Sequence, residues 1–204
     1  MSNELLWDME FWMNYPGTLP TTDVKVLNST RRSGYTPLYC AVSYARTIQP
    51  VVDLVEAGAD VNVLSEHGDS VLSAVRDGHL GREILQYLVG KGVYVNNRNA
   101  LGSTVLHQMC SHSEDPVLVE MLLRAGADVH ATSKAGMTPL HRAVSRHSAD
   151  EHLVHLLVRY GADVNAVGPW VWSPLYYAVC EENAIGAIFA LLEHGAIIRP
   201  PLNL

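Results

Sequence analysis

Thr138-Pro-Leu-His-Arg-Ala143, followed by Gly161-Ala-Asp-Val-Asn165, is the stretch whose reading decides the fold. Threonine ahead of proline places an N-cap hydroxyl beside a residue whose missing N–H costs nothing at the first helical position. Beyond the turn, Leu153, Val154, Leu156, Leu157 and Val158 recur at helical spacing. Gly161 then suits a left-handed C-terminal cap, where a residue with a Cβ is strained. The unit reads as a short helix, a turn, a second helix, a glycine stop and an extended loop or hairpin.

The same unit returns along the chain. Its openings are Gly34-Tyr-Thr-Pro-Leu-Tyr, Gly68-Asp-Ser-Val-Leu-Ser, Gly102-Ser-Thr-Val-Leu-His, Gly136-Met-Thr-Pro-Leu-His and, with valine replacing glycine, Val171-Trp-Ser-Pro-Leu-Tyr. Successive openings are 34, 34, 34 and 35 residues apart. A second landmark keeps nearly the same step, at Gly58, Gly92, Gly126, Gly161 and Gly195. Two landmarks in step over five units define a repeat. Because one unit cannot bury its apolar face alone, the units must stack. The second unit departs from the pattern around Ser70–Ala74, which leaves its register open by one residue.

This pattern resembles the ankyrin repeat, which opens T-P-L-H-x-A and closes G-A-D-V-N, over roughly residues 34–199. The resemblance implies an all-α solenoid of about five helix-turn-helix repeats with hairpin loops, starting near residues 34, 68, 102, 136 and 171 within a 34–204 array. The units run slightly longer than the commonest ankyrin length, an excess assigned to the turn between helices. Residues 1–33 are expected to form an N-terminal capping segment. In it, residues 4–13 make a helix with Leu6, Met9 and Met13 on one stripe, Pro16-Gly17 breaks that helix, and Asp23-Val-Lys-Val echoes Asp-Val-Asn. Trp7, Phe11 and Trp12 read equally as cap core or as a second binding patch. At the other end Arg199-Pro200-Pro201 is expected to stop the array, with no room for an effector domain.

Composition narrows the function. A net charge of -7 with only Lys25, Lys91 and Lys134 as lysines offers no concentrated positive field for nucleic acid or an acidic membrane. No apolar run approaches the roughly 20 residues needed to span a bilayer, and the N-terminus lacks the basic start of a signal peptide. A cytoplasmic or nuclear location is therefore expected, with Asn28-Ser29-Thr30 an idle glycosylation sequon. Cys40, Cys110 and Cys180 are isolated and odd in number, so they are expected to be buried free thiols.

No nucleophile elbow, phosphate loop, dinucleotide fingerprint or zinc-protease motif occurs. His152 and His155 have a spacing that suits a metal, but the solvated face of an outer helix accounts for them. No metal and no cofactor are expected. In the resemblance, His107 and His141 tie hairpin backbone together. It also implies that a ligand meets the hairpin tips and the exposed ends of the first helices. Carried onto this chain, the tips are Glu66, His67 and Asp69, then Arg98, Leu101 and Ser103, then Lys134 and Met137, then Trp170 and Trp172. The helix ends are Tyr44, Asp77, His112, Arg146 and Glu181. Tyr176 and Tyr177 follow the tryptophan tip, with Tyr176 in the histidine position and expected to be structural, and aromatic residues of this kind dominate binding hot spots. The expectation is a monomeric protein-interaction module that holds a protein or peptide. The alternatives are a small-molecule binder or an unusual isomerase- or cyclase-type enzyme on the same groove, with Asp77 and His112 as an acid–base pair, or an aromatic cage around a methylated lysine, or a scaffold that self-associates through its end caps.

Overall fold

The computed structural model describes residues 3–31, 34–146, 150–169, 172–181 and 184–198, and every regular element among them is helical. The chain divides into two compact units, Met1–Ala100 and Leu101–Leu204.

The first unit begins with a 3-10 turn, Asn3–Trp7, and α1, Met9–Met13. The single helix expected over residues 4–13 is interrupted at Asp8. That residue is extended, and its carboxylate accepts the N–H groups of Glu10 and Phe11, so a new helix starts there. The buried stripe also differs from the one expected. Leu6 and Trp12 are fully buried while Met9 is 48% exposed, because the Trp12 indole N–H folds back onto the Leu6 carbonyl at 2.8 Å. Next come α2 (Val24–Leu27), α3 (Pro37–Tyr44) and α4 (Gln49–Glu56). α1 packs on α3, and Tyr15 donates to Asp53 of α4 at 2.7 Å, which pins the capping segment to the first repeat.

A ladder of asparagines links consecutive loops. Asn62 donates to the Gly92 carbonyl and accepts the Tyr94 N–H. Asn28 makes the same pair of bonds to Gly58 and Asp60. The echo of the repeat in the capping segment is therefore Asn28, 34 residues before Asn62, rather than Asp23-Val-Lys-Val. Both polar ends of the Asn28 amide are thereby engaged.

The second repeat carries a real irregularity. Its first helix is reduced to a 3-10 turn, Val71–Ala74, and α5 runs over His79–Gly90. Gly78, at φ 101°, turns the chain directly into α5. By the 34-residue step, α5 starts four residues earlier than α4, so this repeat shortens one helix and lengthens the other.

The second unit contains three regular pairs: α6 (Val105–His112) with α7 (Pro116–Arg124), α8 (Pro139–Val144) with α9 (Glu151–Arg159), and α10 (Pro174–Cys180) with α11 (Ile185–Glu193). α8 packs between α6 and α10, and α9 between α7 and α11. The core between them holds Leu106, Leu118, Leu122, Leu140, Val144, Val154, Leu157 and Leu191. Each such side chain contributes about 1.5–3 kcal/mol when removed from water. The loops also interlock. Gly102 sits at φ 70°, and a Cβ there would lie 2.8 Å from the Lys134 backbone nitrogen, whose N–H donates to Leu101. Arg199-Pro200-Pro201, expected to end the array, lies outside the described residues.

Candidate functional site

The histidines of the repeat openings are built into the frame. The Thr104 N–H donates to His107 Nδ1, which leaves Nε2–H to donate to the Met137 carbonyl at 3.0 Å. His141 repeats the arrangement between the Thr138 N–H and the Trp172 carbonyl, the latter at 3.2 Å. Burial, more than neighbouring His107, holds the His141 pKa below its usual 6.5. Each ring joins the start of its own helix to the loop opening the next repeat.

The expected contact residues separate into three groups. Leu101 and Lys134 stand exposed at loop tips, Asp77 and His112 are exposed at the helix ends, and Tyr44 and Glu181 are half-buried. Met137 was expected on the surface but is only 7% exposed, since the residue before the Thr-Pro opening turns into the core while its carbonyl receives His107. Ser103, at the equivalent place, is buried as well. Arg146 is half-buried and donates to the Ser113 carbonyl at 2.6 Å, so it braces the neighbouring helix turn beside a depression of about 200 Å³.

Trp172 packs against Tyr176 and Tyr177, with ring centroids 4.4 and 5.5 Å away. Rings this close fill one another's faces and leave no slot for a cation between them. Trp170 lies outside the described residues. Asp77 belongs to the first unit and His112 to the second. His112 Nδ1–H donates to the Gln108 carbonyl on its own helix. His155 meets His194 at 2.9 Å rather than His152, and among the described residues no three ligating side chains converge on a metal position.

The cysteines also differ from expectation in part. Burial pushes the Cys40 thiol up to about 11 and the Cys110 thiol to about 12, whereas Cys180 is exposed at the end of α10.

A further concavity has no counterpart in the sequence reading. It lies in the first unit, holds about 900 Å³, and is lined by Trp7, Thr30, Arg31, Tyr35, Cys40, Tyr44 and Glu66. It is bounded by the capping segment, the first helix α3 and the loop tip at Glu66. The Trp7 indole N–H donates to the Tyr35 carbonyl at 2.9 Å, and Arg31 lies 5.0 Å over the Trp7 ring. Tyr35 stacks on Tyr39 at 4.1 Å, and Arg76 lies 5.7 Å over Tyr44. Three rings, the Arg31 guanidinium and the Glu66 carboxylate thus surround one open cleft. Trp7 and Tyr44 were visible in the sequence, but their convergence depends on how the capping segment folds against α3.

Comparison with known proteins agrees with this architecture. The family model for ankyrin repeats (3 copies) matches residues 71–168 and 106–200, and that for a single ankyrin repeat matches residues 33–66. The chain is 32% identical over 125 residues to the nuclear factor NF-kappa-B p105 subunit of Gallus gallus, covering 59% of this chain and 12% of that protein. It is 38% identical over 86 residues to a fem-1 homolog A-like protein of Mus musculus, covering 42% of this chain and 12% of the relative. It is 31% identical over 93 residues to an ankyrin repeat protein of Fowlpox virus, covering 45% of this chain and 27% of the relative. The matched stretch is thus a small part of each of these longer proteins.

Proposed function

This chain belongs to the ankyrin-repeat family, and on that premise we propose that it is a protein-interaction module holding a peptide segment of its partner in the aromatic cleft of the first unit. The observation that carries the reading is the convergence of Trp7, Tyr35 and Tyr44 with Arg31 and Glu66 around about 900 Å³ of open volume. Aromatic and arginine side chains supply large contact area at small entropic cost and recur as binding hot spots. Both charge signs at the rim favour an extended segment of mixed character over a uniformly charged polymer. Backbone contact at the Glu66 loop tip and side-chain contact along α3 suit a chain lying across the cleft. Tyr44, Leu101, Lys134, Asp77, His112 and Glu181 belong to the same class of surface, first-helix ends and loop tips. They are proposed as additional contacts for a larger partner.

A peptide-display selection against the immobilised protein tests this. Selected peptides should lose at least about tenfold in affinity, some 1.4 kcal/mol, on Trp7→Ala or Tyr44→Ala, with melting unchanged for Tyr44→Ala. Failure to select any peptide, or selection of peptides indifferent to both substitutions, would remove the cleft from the account.

A further inference from the structure

Two histidines join α9 to the end of α11 within the second unit. His155 lies on α9, His194 directly follows α11, and the two helices pack together. His155 Nδ1 stands 2.9 Å from His194 Nε2, with the two rings 72° apart in plane. One repeat earlier, Glu120 holds the position of His155 and reaches across to Arg159 at 2.9 Å. In the later pair Glu193 holds the position of Arg159, and its carboxylate lies 3.9 Å from His155 Nε2. An ion pair fills the first crossing, whereas two ligand nitrogens meet at the second.

We propose that His155 Nδ1 and His194 Nε2 together bind one divalent transition-metal ion of the zinc class, with water completing its coordination. A neutral imidazole carries a single N–H, so two rings in hydrogen-bond contact hold one proton between the facing nitrogens. A cation that accepts both lone pairs takes the place of that proton. The nearby Glu193 carboxylate favours the ring proton of His155 on Nε2, which leaves Nδ1 bare toward His194. His194 carries its own proton on Nδ1 once the ion is bound, so the neutral pair loses none to solvent. Two metal–nitrogen bonds of about 2.0–2.1 Å, at square or tetrahedral angles, set their nitrogens about 2.8–3.4 Å apart. The observed separation falls in that range, so small ring rotations suffice. Imidazole nitrogen selects zinc, copper or nickel over magnesium and calcium, which take oxygen ligands. The His155 side chain is 44% exposed and His194 is exposed, which leaves room for water on the ion. His152, whose spacing on α9 suggested a metal pair with His155, instead contacts Asp150 at 3.1 Å. The site is independent of the aromatic cleft, which lies in the first unit.

Calorimetric titration of zinc into the full chain, stripped of metal with a chelator, tests the proposal. One ion should bind with a dissociation constant on the order of micromolar, as suits two protein ligands rather than four. Zinc should also raise the melting temperature, because an ion held across α9 and α11 stabilises the folded chain by mass action. His155→Gln and His194→Gln should each weaken binding at least tenfold and abolish the zinc-dependent rise, with helix content retained by circular dichroism. His152→Gln and Cys180→Ser should leave both readings unchanged, and magnesium should give no heat. Absence of zinc binding overturns the proposal, as does binding that survives both His155→Gln and His194→Gln. Equal losses in His152→Gln and His155→Gln, with His194→Gln unaffected, would confine the ion to one helix and overturn it too.

Discussion

A buried imidazole that accepts one backbone N–H and donates to a carbonyl 31 residues away is both a clip and a liability. His141 does this between Thr138 and Trp172. Replacing it with alanine leaves both backbone partners without a bond, so His141→Ala should lower stability by about 2–3 kcal/mol, read from urea melts. Because its folded pKa lies below the usual 6.5, the unfolded chain binds the proton more readily. Its contribution is full above about pH 6.5 and is lost as pH falls from there toward the depressed folded value. A urea midpoint that drops across that window in wild type, and less so in His141→Ala, would bear this out. The thiols give a second residue-scale prediction. Cys180 should react with an aromatic disulfide reagent in the native protein, while fully buried Cys110 waits for unfolding. Rapid labelling of Cys110 would mean that the core is not packed as described.

Helix pairs were the most legible element in the sequence, since Thr-Pro openings and glycine stops act through local backbone geometry. Thr36, Thr138 and Ser173 all cap their helices as the motif requires. What escaped depends on distant partners. Met137 reads as a loop-tip residue until the core behind Thr138 is assembled. Asn28 is identified only by the Gly58–Asp60 loop that it grips. The second repeat shows local signals competing: with Gly78 free to take a positive φ, the chain begins its longer helix early. Loop interlock makes its own prediction. Gly102→Ala places a Cβ against the Lys134 nitrogen at a φ of 70°, which should cost at least about 1 kcal/mol by melting. An unchanged melting temperature would show that the loop relaxes freely.

At the scale of the whole molecule, no helix among the described residues is long and apolar enough to cross a membrane. The family accounts for the frame, and the cleft is built on it by the capping segment, α3 and the Glu66 loop tip. The cleft was hard to foresee because the capping segment shows only one weak echo of the repeat. Its rings still divide cleanly once folded: Trp12 enters the core while Trp7 turns to the cleft. The central claim is that ligand meets the cap, α3 and the loop tip rather than the outer helices. Amide hydrogen exchange with and without a selected peptide tests it most directly. The account predicts added protection over Pro37–Tyr44 and the 64–69 loop, with α4 and α5 unchanged. Protection confined to α4 and α5 would contradict it.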